Sequence, residues 1–246
     1  MKKILIIGAT SAIANSCAKI WAKEKAEFFL VARDQSKLQQ VAADLMARRA
    51  TSVKTHALDL NKFDAHQEMI KASFNALGKI DVVLIAHGTL PNQKKCEVNV
   101  ELALQEFSNN CLSAIAILTL LANKMEKQNC GTIAVISSIA GDRGRSSNYL
   151  YGSAKAAVTA FCEGLRARMF KVGVHVLTIK PGFVNTPMTK DLTLPHLLVA
   201  SPEKVAQDIC KAIEKKSDSI YTPFFWWGIM TIIKAIPTAI FKKLKL

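Results

Sequence analysis

Two side chains in the middle of the chain have the types and the spacing to move a proton. Tyr151 and Lys155 stand four apart in Tyr151-Gly152-Ser153-Ala154-Lys155, at the start of a stretch, 151–171, whose pattern predicts a helix. On a helix, positions i and i+4 share a face, so the phenol and the ammonium point into the same space. A free tyrosine titrates near ~10, too high to exchange a proton readily at neutrality. An ammonium about 4 Å away, at an effective dielectric of ~20, favours the phenolate by ~4 kcal/mol, or up to ~3 pK units. Ser138 lies thirteen residues before the tyrosine and adds a hydroxyl. A Tyr-x-x-x-Lys pair by itself also arises on helix faces with no chemistry attached.

The second constellation is Gly8-Ala9-Thr10-Ser11-Ala12-Ile13-Ala14, between an apolar run and a helical stretch. A turn there aims the first N–H groups of the helix at a phosphate. Small residues are needed where backbone approaches a pyrophosphate and where the helix meets the sheet. Gly8 is the one true glycine; Ala12 and Ala14 fill the next two small positions. A dinucleotide cradle and a purely structural strand-turn-helix both satisfy this pattern.

The elements that must position these groups alternate along the whole chain. Short runs at Ile4–Gly8, Glu27–Val31, Val53–Leu58, Val82–Ala86, Thr132–Ser137 and Val174–Lys180 are rich in Val, Ile, Leu or Phe. They fit strands covered on both faces, the condition of a parallel sheet. Helical stretches lie between them at Ser11–Lys25, Gln35–Arg48, Lys62–Leu77 and 151–171. Repeated β-α units predict an α/β fold with a doubly wound parallel sheet in a single domain. Ser201, Pro202 and Glu203 form a helix start signal for 202–216. The segment Thr186–Ala200 before it reads either as a surface loop or as a substrate lid.

Composition is that of a folded protein: of 246 residues, 50% are hydrophobic and 21% charged. The six cysteines are scattered, without C-x-x-C or metal-like spacing, and read as core residues of a reducing compartment. Met1-Lys2-Lys3 precedes an apolar run too short for a signal peptide, so a cytoplasmic location is expected. The net charge of +14 suits a phosphorylated ligand or a membrane surface. Nucleic acid is not expected as a partner, because no zinc-finger spacing or RNA-binding aromatic signature accompanies the charge.

The tail is read as a separate unit, 219–246, following a catalytic domain at 1–218. It holds no acidic residue, and Phe224-Phe225-Trp226-Trp227 is followed by Ile229, Met230, Ile232 and Ile233. Its uncharged stretch is shorter than the ~20 residues needed to span a bilayer. Its aromatics, with Lys234, Lys242, Lys243 and Lys245, suit peripheral contact at the inner face of a membrane. A subunit interface or a cover over a substrate pocket suits the same composition.

In sum of these motifs the chain resembles the short-chain dehydrogenase/reductase family over essentially its whole length. Ser138 in Ile136-Ser137-Ser138-Ile139-Ala140-Gly141, Asn110 in Asn110-Cys111-Leu112-Ser113-Ala114, Asp59-Leu60, and Pro181-Gly182-Phe183-Val184-Asn185-Thr186 stand where that family's motifs stand. The resemblance implies a Rossmann-type sheet and an NAD(P)-dependent oxidoreductase acting on a small-molecule carbonyl or alcohol. It implies a catalytic tetrad: Tyr151 transfers the proton, Lys155 tunes it and holds the nicotinamide ribose, Ser138 binds the substrate oxygen, and Asn110 anchors a water. It implies a cofactor lined by Gly8, Thr10, Ser11, Ile13, Asp59, Leu60, Ala86, Gly88, Tyr151, Lys155, Pro181, Gly182, Val184 and Thr186. A homodimer or homotetramer is implied as well, through the apolar helix Cys111–Ala122 and the helix carrying Tyr151.

Two departures stand out. The family's Asn-Asn-Ala-Gly reads Ile85-Ala86-His87-Gly88 here, so bracing side chains are missing and His87 is read as structural or cofactor-lining. At the end of the second strand, Ala32 cannot accept from a ribose hydroxyl, while Arg33 can pair with a 2′-phosphate or stack on adenine. NADP(H) is therefore favoured over NAD(H). The Ala-Thr-Ser-x-Ile-Ala turn, Ala-His-Gly and the aromatic tail are similar to a branch that reduces a polyprenyl-phosphoryl 2-keto-pentose, which implies a lipid-linked or other apolar substrate. A non-catalytic NAD(P)-binding sensor or scaffold is the alternative.

Overall fold

The computed structural model describes residues 1–190 and 192–244. Seven parallel strands form its central sheet, in the order β3-β2-β1-β4-β5-β6-β9. They are β1 (Lys3–Ile7), β2 (Glu27–Ala32), β3 (Ser52–Ala57), β4 (Val82–Ile85), β5 (Thr132–Ile136), β6 (His175–Pro181) and β9 (Ser219–Thr222). Two-residue strands β7 (Phe183–Val184) and β8 (Val199–Ala200) pair with each other beyond the sheet. The helices are α1 (Ala12–Lys23), α2 (Gln35–Ala47), α3 (His66–Leu77), α4 (Gln93–Glu97), α5 (Val100–Phe107), α6 (Ser113–Gln128), α7 (Tyr149–Phe170), α8 (Pro202–Glu214), α9 (Phe225–Ala235) and α10 (Thr238–Phe241).

The alternation of side chains along each strand explains the layering. Ile4 and Ile6 of β1, Phe28 and Leu30 of β2, and Leu177 and Ile179 of β6 face Cys17, Trp21, Leu38 and Ile209 on one side. Leu5, Ile7, Phe29, Val31, Val83 and Val135 face Met69, Ile117, Leu118 and Val158 on the other. Burying both faces is why these strands read as continuous apolar runs rather than as alternating ones. Each fully buried Leu or Ile contributes on the order of 1.5–3 kcal/mol by leaving water. Strand β3 is the exception: at the sheet edge, it carries Lys54, Thr55 and His56 and is only partly covered.

Strand order reverses between β2 and β4 on either side of β1, which opens a crevice at the carboxyl ends of these strands. The 202–216 helix starts where its cap signal places it, with Ser201 Oγ accepting from Lys204 N at 3.2 Å.

The boundary drawn at residue 219 moves. Ser219–Thr222 pairs with β6 as the last strand of the sheet, and Thr222 is fully buried, its Oγ1 donating to Asp208 at 2.9 Å. The segment apart from the sheet starts at Pro223. Of the four consecutive aromatics only Trp226 turns inward, buried with Met230 and Ile139; Phe224, Phe225 and Trp227 are exposed, and Phe224 and Trp227 stack on each other. Lys245 lies outside the described residues. Among the described residues, no helix is long and apolar enough to cross a membrane.

Candidate active site

A cleft of about 390 Å³ lies over the carboxyl ends of β1, β4, β5 and β6. Every residue expected at the cofactor lines it: Gly8, Thr10, Ser11, Ile13, Arg33, Asp59, Leu60, Ala86, Gly88, Tyr151, Lys155, Pro181, Gly182, Val184 and Thr186. Ser138 lines it too. Asn110 does not; it is buried behind the wall.

The turn after β1 is shaped for close backbone approach. Gly8 has φ +86°, and a Cβ there would come 2.5 Å from the backbone nitrogen of His87. Helix α1 starts at this turn with no side-chain cap and no acidic residue in its first turn. Its leading N–H groups and positive dipole end therefore face the cleft uncompensated, a setting that fits a pyrophosphate. Arg33 forms no ion pair among the described residues, and the side chain of its neighbour Ala32 offers no acceptor.

Tyr151 and Lys155 stand one turn apart on α7, as their spacing requires. Ser138, two residues past the end of β5, caps a 3-10 turn, Ile139–Gly141, and its hydroxyl acts on the Tyr151 phenol. The expectation that Lys155 pulls the tyrosine down is not met. Burial dominates and pushes the phenol up to about 12, with the Ser138 hydrogen bond opposing it. Burial also pushes Lys155 down to about 8. The reason is geometric as well as dielectric. Lys155 Nζ donates to the carbonyl of Ile136 at 3.1 Å and lies 5.7 Å from the centre of the Tyr151 ring, with Lys155 buried and Tyr151 partly so. Tyr151 is thus held as a protonated phenol.

Asn110 sits in a π-helical stretch, Ser108–Leu112, between α5 and α6, the kind of bulge common at functional sites. Its Oδ1 accepts from Thr89 N at 2.9 Å, and its Nδ2 donates to Thr89 Oγ1 at 3.0 Å and to Glu106 O at 2.9 Å. These bonds fasten the loop after β4, where the family's other asparagines are missing. A Cβ on Gly88 would come 2.8 Å from Asn110 Oδ1, so the two positions fit together.

His87 lines the cleft. Burial first, and then the charge of Lys155, push its imidazole down to about 3, so it stays neutral. Ser113 Oγ donates to Asn109 O at 3.0 Å, so His87 Nε2 donates to Ser113 Oγ at 2.9 Å. That leaves Nδ1 as a buried acceptor without a partner.

The sequence does not mark Arg145 and Asn148, which line the cleft on the loop before α7, and it marks Trp226 only as one of four tail aromatics. The indole of Trp226 packs so close to Gly182 that a Cβ at Gly182 would overlap it. No periodicity marks a loop, so only the interval between Ser138 and Tyr151 signalled that this segment borders the site.

A family model described as short chain dehydrogenase matches residues 2–196. The chain belongs to the short-chain dehydrogenase family. It is 30% identical over 241 residues to an uncharacterized oxidoreductase of Mycobacterium tuberculosis, covering 98% of this chain and 96% of that one. An uncharacterized oxidoreductase of Streptomyces coelicolor is 30% identical over 244 residues, covering 99% and 96%. The ketoacyl reductase HetN of a Nostoc species is 27% identical over 228 residues, covering 89% and 77%. Among solved structures, an actinorhodin polyketide ketoreductase variant with NADPH superposes with a TM-score of 0.80 at 20% identity, covering 89% of this chain and 95% of that one. This short-chain dehydrogenase is an oxidoreductase with an NAD(P)-binding fold. Among the described residues, no cluster of His, Cys, Asp and Glu is placed to hold a metal ion.

Proposed function

We propose that this short-chain dehydrogenase reduces the carbonyl of an apolar or lipid-linked substrate with NADPH, through Tyr151, Ser138, Lys155 and Asn110. One observation carries the reading: Tyr151, Lys155 and Ser138 line one cleft with the Gly8 turn, and burial keeps the Tyr151 phenol protonated. The nicotinamide cofactor supplies the hydride when bound. Tyr151 Oη donates its proton to the developing alkoxide of the substrate. Ser138 hydrogen-bonds the same oxygen and stabilises its charge. Lys155, when protonated, offsets the phenolate left behind, and Asn110 keeps the loop after β4 in register with it and anchors the water that leads to solvent.

Arg33 and Ala32 support NADP(H) over NAD(H): a guanidinium suits a 2′-phosphate, and no carboxylate at position 32 repels it. The exposed Phe224, Trp227, Ile232 and Ile240, flanked by lysines, support contact of the tail with an anionic membrane surface on the cytoplasmic side. Trp226 brings that tail beside Gly182 and the cleft, which favours a long apolar substrate entering from lipid. The branch that acts on polyprenyl-phosphoryl 2-keto-pentoses is consistent with this. Val100 and Leu104 on α5, Leu112 at the end of the π-helical stretch and Phe170 at the end of α7 are exposed and support a homodimer or homotetramer. Oxidation of NADPH with a panel of ketones, aldehydes and lipid-linked keto-sugars tests the reading. Cofactor binding with no turnover across the panel favours a sensor or scaffold instead.

A further inference from the structure

Two arginines on the loop 142–148, between the 3-10 turn after Ser138 and helix α7, have different surroundings. Arg143 is fully occupied: Nη1 donates to the carbonyls of Ile233 at 2.5 Å and Lys234 at 3.0 Å, and its guanidinium lies 3.8 Å over the ring of Phe241. It fastens the end of α9. Arg145 lines the cleft, and among the described residues its side-chain hydrogen bond is Nη2 to Met230 Sδ at 3.4 Å, a weak acceptor. Its Nε is buried with no partner.

No carboxylate among the described residues pairs with it. The neighbouring Asp142 is itself almost fully buried, and already accepts from Lys180 at 2.8 Å and Tyr221 at 2.6 Å. Among the described residues lining the cleft, the one carboxylate is Asp59, after β3 at the opposite edge of the sheet. Burial pushes the Arg145 guanidinium down from its usual range. Beside it, Asn148 Oδ1 is buried and without a partner. Among the described residues, nothing satisfies the Arg145 Nε or the Asn148 Oδ1 in this wall of the cleft. Asp142 acts on Arg145 only at a distance, its oxygens being taken by Lys180 and Tyr221, and a partly desolvated charge with no directly paired counter-charge is costly to a fold unless a ligand supplies one.

We infer that Arg145 binds an anionic group, a phosphate or a carboxylate, carried by the substrate close to the carbonyl that is reduced. The inference rests on the reading of this cleft as the hydride-transfer site and adds the charge of what enters it. Met230 behind the guanidinium, with Met188 and Leu192 on the same cleft, sets that charge in an apolar surround. The ligand class is therefore an anion attached to an apolar body.

Calorimetric titration of the NADPH-saturated full-length protein with benzyl phosphate, phenylacetate and benzyl alcohol tests this. Saturation with NADPH first occupies the phosphate turn and the Arg33 end. Wild type is expected to bind at least one anion about tenfold or more tighter than the alcohol, the scale of one charge-assisted contact. Which anion wins separates phosphate from carboxylate. Arg145→Gln brings the anions to within about twofold of the alcohol, Arg145→Lys keeps part of the preference, and both retain NADPH affinity. Equal binding of anions and alcohol by wild type, no binding of either anion, or a preference surviving in Arg145→Gln overturns the inference. Because the readout needs no turnover, failure of the reductase reading shows separately, as NADPH oxidation absent with every carbonyl tested.

Discussion

The ammonium of Lys155 donates to the carbonyl oxygen of Ile136 at 3.1 Å, which ties the middle of the catalytic helix to the end of the fifth strand. The bond fixes where the charge sits, and burial decides how firmly it is held. With Lys155 pushed down to about 8 and Tyr151 up to about 12, the two groups titrate far apart.

The pH dependence of carbonyl reduction follows from that separation. Below about 8 Lys155 is charged and offsets the phenolate that forms as Tyr151 gives up its proton. Above it, the charge is lost while the phenol remains protonated up to about 12. Single-turnover reduction rates are therefore expected to fall as pH rises through about 8, as a single ionisation. A profile flat from pH 6 to about 10 contradicts the role given to Lys155.

Arg33→Ala is expected to weaken NADPH binding by about tenfold or more, the loss of a charge-assisted contact with a phosphate. NADH binding should change by less than about threefold. Titration calorimetry with both cofactors reads the difference. Equal losses for the two would mean that Arg33 stacks on the adenine rather than pairing with the 2′-phosphate.

Membrane contact is best tested on the outward aromatics. Cutting the chain at 218 would remove strand β9 from the sheet along with the buried Trp226, so truncation confounds fold with docking. Phe224→Ser with Trp227→Ser changes exposed positions only. Wild type is expected to sediment with anionic liposomes and to be released by salt, and the double variant to stay largely in solution with unchanged NADPH affinity. Equal sedimentation of both proteins refutes docking by these side chains.

Light scattering of the purified protein at micromolar concentration is expected to give the mass of a dimer or tetramer. Leu104→Glu, placed on the exposed side of α5, should shift it towards monomer if that layer is the interface. A wild-type monomer would rule out the assembly.

Much of this was legible in the sequence because it was local. Periodicity located the strands and helices, since a strand buried on both faces must be apolar throughout, as Ile4–Ile7 are. The i and i+4 spacing placed Tyr151 and Lys155 on one face. Three things were not local. The direction of the tyrosine shift depended on desolvation, which a pairwise charge estimate omits. The last strand, Ser219–Thr222, is short and mostly polar, and only its partner β6 makes it a strand. Arg145 and Asn148 belong to a loop with no period of its own, brought to the cleft by the elements on either side.

Tyr151→Phe removes one hydroxyl and tests the chemistry most directly. Once a carbonyl substrate is found, the variant is expected to bind NADPH as wild type does while kcat/KM falls by about 10²–10⁴, the scale of a lost general acid. Wild-type-like turnover in Tyr151→Phe would contradict the assignment of Tyr151 as the proton donor.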